Sequence, residues 1–207
     1  MKKSIRNLFL CAAAAALLSG CGKLDRVEQT TVYVDPDNGA VQEAVIGEYT
    51  EEDTYSEKEL KEFVEEDAAS YNQEAGTDAV TVSGVEVSKD RVRILLRYPD
   101  AESYAGYHRT EFFWGSLAQA QENGYDFSGT FLDSEGNETV IGEILSSEPE
   151  YHVIVFEEAM QILTDRPILY VSSNVTVTSD TTAEVSKDTV NQEAGVVTSE
   201  KAYVIYE

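Results

Sequence analysis

The eight residues from Arg91 to Tyr98 constrain the fold more than any other stretch. Val92, Ile94, Leu96 and Tyr98 alternate with Arg91, Arg93 and Arg97, and a period of two marks a strand with one buried and one wet face. A sheet wetted on one side is as a rule antiparallel. The arginines of the wet face either neutralise acidic neighbours on adjoining strands or the helix, or form an anion site.

Turn residues divide the chain around this strand. Asp35-Pro36-Asp37-Asn38-Gly39 separates strands expected over 27–34 and 40–49, and its Asn-Gly pair tolerates positive φ. Ser88-Lys89-Asp90 separates 79–87 from 91–98 in the same way. Further strands are expected over about 127–133, 138–145, 150–157, 167–178 and 200–206. Residues 179–199 are polar, with few large apolar side chains, and read as a long loop or a weak hairpin. Residues 100–126, after Pro99, are irregular and the most aromatic part of the chain. Two helices carry start signals. Ser56 and Glu59 form a capping box, Tyr55 and Leu60 a hydrophobic staple, and Leu60, Phe63, Val64, Ala68 and Tyr71 share one face, which predicts a helix over about 57–73 ending near Gly76. Ser116 can cap a short helix over 117–123, with Gly124 in the terminating position. The expected class is α+β, a mainly antiparallel sheet with the 57–73 helix packed on it and a short second helix.

The N-terminus bears on location. Lys2, Lys3 and Arg6 precede an unbroken apolar run, Leu8 to Leu18, closed by Ser19 and Gly20. This is the layout of a secretory signal. The run is shorter than the roughly 20 residues a helix needs to span a bilayer. Leu18-Ser19-Gly20-Cys21 resembles the lipobox of bacterial lipoproteins, in which the cysteine is thioether-linked to diacylglycerol and the signal is cut before it. The resemblance implies a signal peptide at 1–20, a lipidated tether at 21–25 and one acidic domain at 26–207. It places the domain on the extracytoplasmic face of the cell membrane, anchored by lipid on Cys21. More than one acyl chain gives stable anchoring, since each buried methylene contributes about 0.8 kcal/mol.

Cysteine and charge then exclude several classes. Cys11 leaves with the signal and Cys21 is taken by lipid, so disulfides, thiolate metal sites and a cysteine nucleophile are not expected. Loss of the signal, with three basic residues and no acid, moves the formal charge from −24 to −27. Nucleic acid is a poor partner for such a surface, and a monomer oriented away from the bilayer is expected. The 187 remaining residues suffice for one domain with its own core.

No stretch carries recognisable catalytic chemistry. Gly-x-Gly-x-x-Gly, Gly-Lys-Ser/Thr and Gly-x-Ser-x-Gly are all missing. Asp35-x-Asp37 opens like a calcium loop, but the fifth, sixth and twelfth places hold Gly39, Ala40 and Ile46. Only His108 and His152 can serve as a base, too few for a catalytic zinc site. His152 shares a strand side with Ile154 and Phe156 and reads as a satisfied structural histidine. His108, beside Arg109 and among tyrosines, is the better functional candidate. Acid pairs such as Glu157-Glu158 suit glycoside hydrolysis in principle, yet with 39 acids such pairs arise by chance. Glu-Val-Ser-Lys-Asp and Asn-Gln-Glu-Ala-Gly each occur twice, but in reversed order, so they make no duplication.

The body of the chain is similar to short acidic lipoproteins of Gram-positive anaerobes. The segments that carry the similarity are Thr31-Val32-Tyr33-Val34, Asn123-Gly124-Tyr125-Asp126-Phe127, Ile168-Leu169-Tyr170-Val171-Ser172-Ser173-Asn174 and Ala202-Tyr203-Val204-Ile205-Tyr206. The group implies no activity. The expected function is a non-catalytic binding module of the cell envelope without cofactor or metal, its partner a glycan, a peptide or a protein. Its contact region is 98–127, with Tyr104, Tyr107, His108 and Trp114 as ligand-binding candidates, because aromatic rings stack on sugars and peptide side chains. The competing expectations are that these rings cover the core, or that the chain is a lipid-anchored hydrolase using carboxylates and His108.

Overall fold

The computed structural model describes residues 21–50, 53, 55–88, 90–185 and 200–207; the segment 1–20, expected to be a signal, and most of the polar stretch 179–199 lie outside it. After a 3-10 turn at Cys21–Lys23, strands β1 (Thr31–Val34) and β2 (Val41–Glu48) precede helix α1 (Glu57–Ala75). Strands β3 (Thr81–Val87) and β4 (Arg91–Tyr98) lead to α2 (Ala101–His108), β5 (Phe112–Ser116) and α3 (Leu117–Glu122). The chain continues through β6 (Phe131–Asp133), β7 (Glu138–Thr139), α4 (Ile141–Ser147), β8 (His152–Phe156) and β9 (Gln161–Leu163). It closes with β10 (Ile168–Ser172), β11 (Val175–Ser179), β12 (Thr182–Val185) and β13 (Ala202–Tyr206). The fold is α+β with a dominant, mostly antiparallel sheet component, as the alternation predicts.

The strands form two sheets. One runs β11-β12-β9-β1-β2-β4-β3, the other β5-β8-β13-β10-β6-β7. Every pairing is antiparallel except β1 with β9. Inward residues of both sheets, among them Val32, Leu96, Ile154, Phe156, Val204 and Tyr206, make one shared core, so the sheets stack face to face. Helices α1 and α2 add to the same core through Val64, Ala68 and Tyr104. The opposite phase of the second sheet, Val153, Val155, Tyr203 and Ile205, is buried under Leu117 and Ala120 of α3 and Ile141 of α4. A smaller cluster on the outer face of the first sheet joins Leu24 to Tyr33 and Ala44. Each fully buried Val, Leu or Ile stabilises the fold by about 1.5–3 kcal/mol relative to exposure.

Several elements differ from the reading of the sequence. α1 carries the expected capping box, with Glu59 Oε2 accepting from the Ser56 N–H at 2.8 Å, and it ends at left-handed Gly76, φ 72°. Phe63, however, is 68% exposed. The helix lies over the edge strand β3, so the narrow line through Leu60, Val64, Ala68 and Tyr71 is covered and Phe63 is not. The span 138–145 is not one strand: Ile141, Ile144 and Leu145, at helical spacing, turn it into α4 against the second sheet. The span 167–178 is two strands that belong to different sheets. Between them Ser172 Oγ donates to Asn174 Oδ1 at 2.6 Å and accepts from the Tyr203 N–H at 2.8 Å, while Asn174 donates to Glu200 O at 3.2 Å. These bonds satisfy the buried polar groups of a corner that a lone strand cannot show. Residues 100–126 are regular rather than irregular, with α2 and β5 within them. β12 lies inside the stretch expected to be a loop or weak hairpin.

The turn at 35–39 is as its residues predict. Gly39 has φ 74°, and a Cβ built there would stand 3.1 Å from Trp114 Cζ3. A left-handed conformation costs a residue with a Cβ about 1–2 kcal/mol. Gly39→Ala is therefore expected to lower unfolding free energy by at least that amount. Denaturant unfolding followed by the fluorescence of Trp114, the single tryptophan, checks this; an unchanged midpoint and emission maximum would show that the turn tolerates a side chain.

Candidate functional site

The site is built on a carboxylate in the wrong phase for water. On β2, Val41, Glu43 and Val45 face the shared core, and the Glu43 side chain is 4% exposed. An ionised carboxylate there is costly unless it is hydrogen-bonded and paired. Two donors meet that need. The Tyr98 hydroxyl donates to Glu43 Oε2 at 2.8 Å, and His108 Nε2 lies 2.9 Å from the same oxygen. A carboxylate only accepts, so the His108 proton sits on Nε2 in this contact.

His108 reaches Glu43 because α2 forms where it does. Pro99 ends β4, and Asp100 caps the helix, its Oδ1 accepting from the Ser103 N–H at 2.7 Å. Arg109 closes it at φ 56°, and among the described residues no other non-glycine has a positive φ. Tyr104, Tyr107 and His108, spaced i, i+3 and i+4, lie on one face of the helix. The Tyr104 hydroxyl donates to Glu158 Oε2 at 3.0 Å, and the Tyr107 hydroxyl donates to Asp67 Oδ2 on α1 at 2.7 Å. The His108 ring is 4.5 Å from that of Tyr104 and 5.2 Å, edge-on, from that of Tyr107.

Three of the four ligand-binding candidates are thus brought together and one is not. The Tyr104 ring is fully buried, while Tyr107 and His108 are half-buried. Trp114 stands on β5, donates from Nε1 to the Tyr206 hydroxyl at 2.8 Å and stacks on His152 with ring centres 5.5 Å apart. His152 is therefore held between two aromatic rings, but its buried Nδ1 makes no hydrogen bond, unlike the satisfied histidine expected. Sequence reading missed Glu43 and Asp67, set Glu158 aside as one of many acid pairs, and took Tyr98 only as a buried strand residue at the edge of the contact region. Both phases of 41–46 mix apolar and polar residues, so nothing in them singles out Glu43 as buried.

A cavity of about 540 Å³ opens beside this network, lined by Glu43, Tyr104, His108, Arg109, Glu158 and Met160 among others. It lies between the C-terminal end of α2 and the β8–β9 connection, residues 157–160. Its wall offers carboxylates, an imidazole, a phenol and a guanidinium, a set suited to polar ligands. Burial pulls the His108 pKa down, but the hydrogen bond and charge of Glu43, with the charge of Glu158, outweigh it and leave the pKa raised. Burial first, then Glu43, pushes the Tyr98 phenol far above its ordinary value, and burial with Glu43 and Glu158 does the same to Tyr104. Both therefore remain donors. Among the described residues no group of three or more His, Cys, Asp or Glu could hold a metal ion. Comparison with protein-family models, with curated proteins and with solved structures found no match.

The raised pKa of His108 ties stability to pH. Its contribution is complete below the ordinary imidazole value of about 6.5 and is lost as pH rises through the higher folded value. Unfolding free energy is expected to fall over that window in the wild type, and His108→Gln removes the fall; equal slopes in the two proteins would refute the pairing. Tyr98→Phe leaves Glu43 one donor short and is expected to cost about 1–3 kcal/mol in denaturant unfolding.

Proposed function

We propose that the protein is a non-catalytic binding module of the bacterial cell envelope, monomeric and held on the extracytoplasmic face of the membrane by lipid on Cys21. The lipobox supports the anchor, and among the described residues no helix is long and apolar enough to cross a membrane. The observation that carries the binding function is the cavity beside α2, whose polar wall is fixed in advance by hydrogen bonds. Pre-organised groups bind with little further loss of conformational entropy. The ligand is a polar group of an envelope glycan, peptide or protein, met by Glu158, Arg109 and His108, while the buried Tyr104 hydroxyl holds Glu158 in place.

A second reading has one observation in its favour. Glu43 holds His108 as the orienting carboxylate of an acid–base pair holds its histidine, so a lipid-anchored hydrolase using His108 and the carboxylates is the rival. Calorimetric titration with soluble envelope glycan fragments and peptides separates them. The binding module gives saturable heat that Glu158→Gln and Arg109→Ala weaken about tenfold or more, with the titrant recovered intact. Turnover that disappears in His108→Gln would hand the site to the rival, and unweakened binding by the two variants would remove the cavity from the function.

A further inference from the structure

We infer that the outer face of the first sheet, the one bearing Arg91, Arg93 and Arg97, is the surface turned toward the lipid bilayer. The inference rests on the lipidation of Cys21 proposed above and adds an orientation that lipidation alone does not set. The residues expected to be the lipidated tether, 21–25, lie against the domain. Leu24 is 2% exposed in a cluster with Tyr33 and Ala44 on that outer face. The Lys23 ammonium donates to the Tyr33 hydroxyl at 2.8 Å and lies over its ring. Arg93 clamps the next residues by donating to the carbonyls of Asp25 and of Val27, the latter at 3.0 Å. Three residues of chain span at most about 11 Å. A lipid on Cys21 therefore enters the bilayer beside this face, with no slack for the domain to turn another side to the membrane.

Charge acts in the same direction. The acidic domain concentrates basic residues here: Lys23 and Arg26 lie in the docked segment, and the three arginines lie on the outward phase of β4. They stand against Asp25 of the docked segment, Glu28, 3.9 Å from Arg91, Glu48 and Glu86, which face Arg91 and Arg93 across the strands, and Glu184 on the same outward phase. The result is a face close to charge balance on a strongly negative body. Turning it to anionic headgroups keeps most of the carboxylates farther away than a Debye length of about 10 Å.

Energy transfer from the lipidated full-length protein to rhodamine-headgroup lipid in phosphatidylcholine–phosphatidylglycerol vesicles tests this. With the signal removed and Cys21 acylated, an introduced cysteine is the sole thiol available for a donor dye. Glu48→Cys probes the outer face of the first sheet and Glu143→Cys probes α4 on the far side, both exposed positions. Stacked layers stand about 10 Å apart, so transfer at position 48 is expected to exceed that at 143 at least about threefold. A flexible Gly/Ser insert of about twenty residues after Cys21 should shrink the ratio. Equal or reversed transfer with Cys21 acylated by mass spectrometry overturns the orientation alone. A free thiol at Cys21, with protein that does not float with vesicles, overturns the anchor and the orientation together.

Discussion

Strand β13 is buried at every residue from Ala202 to Tyr206, and the rest of the architecture follows from that. Its two phases are both apolar, so each face of its sheet has to be covered. The first sheet covers one through the core around Ile154, Phe156 and Val204, and α3 and α4 cover the other around Val153 and Ile205. Neither half of the molecule could stay folded with the β13 strand withdrawn, because both apolar clusters would open to water.

The candidate site is a consequence of how that covering ends. The second sheet stops at β5, and from there α2 and α1 take over the inner face of β4 and β3. The cavity beside Glu43 lies at the C-terminal end of α2, against the β8–β9 connection that carries the chain from the second sheet to the first. Glu43 is tolerated there because Tyr98 comes from the neighbouring strand and His108 from the helix. One buried carboxylate thus ties together β2, β4 and α2, which makes the network structural, with the cavity along its open side. The aromatic crowding of 98–127 divides accordingly: Tyr104 belongs to the core, while half-buried His108 borders the cavity.

Local signals were legible wherever one residue's chemistry was sufficient. The capping box of Ser56, the cap of Ser116, the left-handed glycines 39, 76 and 124, and the alternation of Arg91–Tyr98 all appear as their residue types require. Signals failed where a partner remote in the chain decided. Phe63 has the right spacing to be covered but no layer reaches it. Ile141, Ile144 and Leu145 fit a strand by composition and a helix by spacing, and the apolar face of β8 and β13 selects the helix. β9 is three residues long and exists because β1 and β12 flank it.

The chain by itself determined the class of fold, the placement of its principal strands and helix, the lack of cysteine beyond Cys21 and the terminal pattern from which a lipid anchor is proposed. Those properties reside in residue type and short-range periodicity, which act over one turn of helix or one hairpin. Tertiary structure alone decided that the 167–178 stretch is shared between two sheets, that Leu24 and Lys23 lie down on the first sheet, and that Glu43, Tyr98 and His108 meet. Each of these joins residues far apart in sequence, and the balance of buried area against desolvated charge that selects them exists only once the layers are stacked.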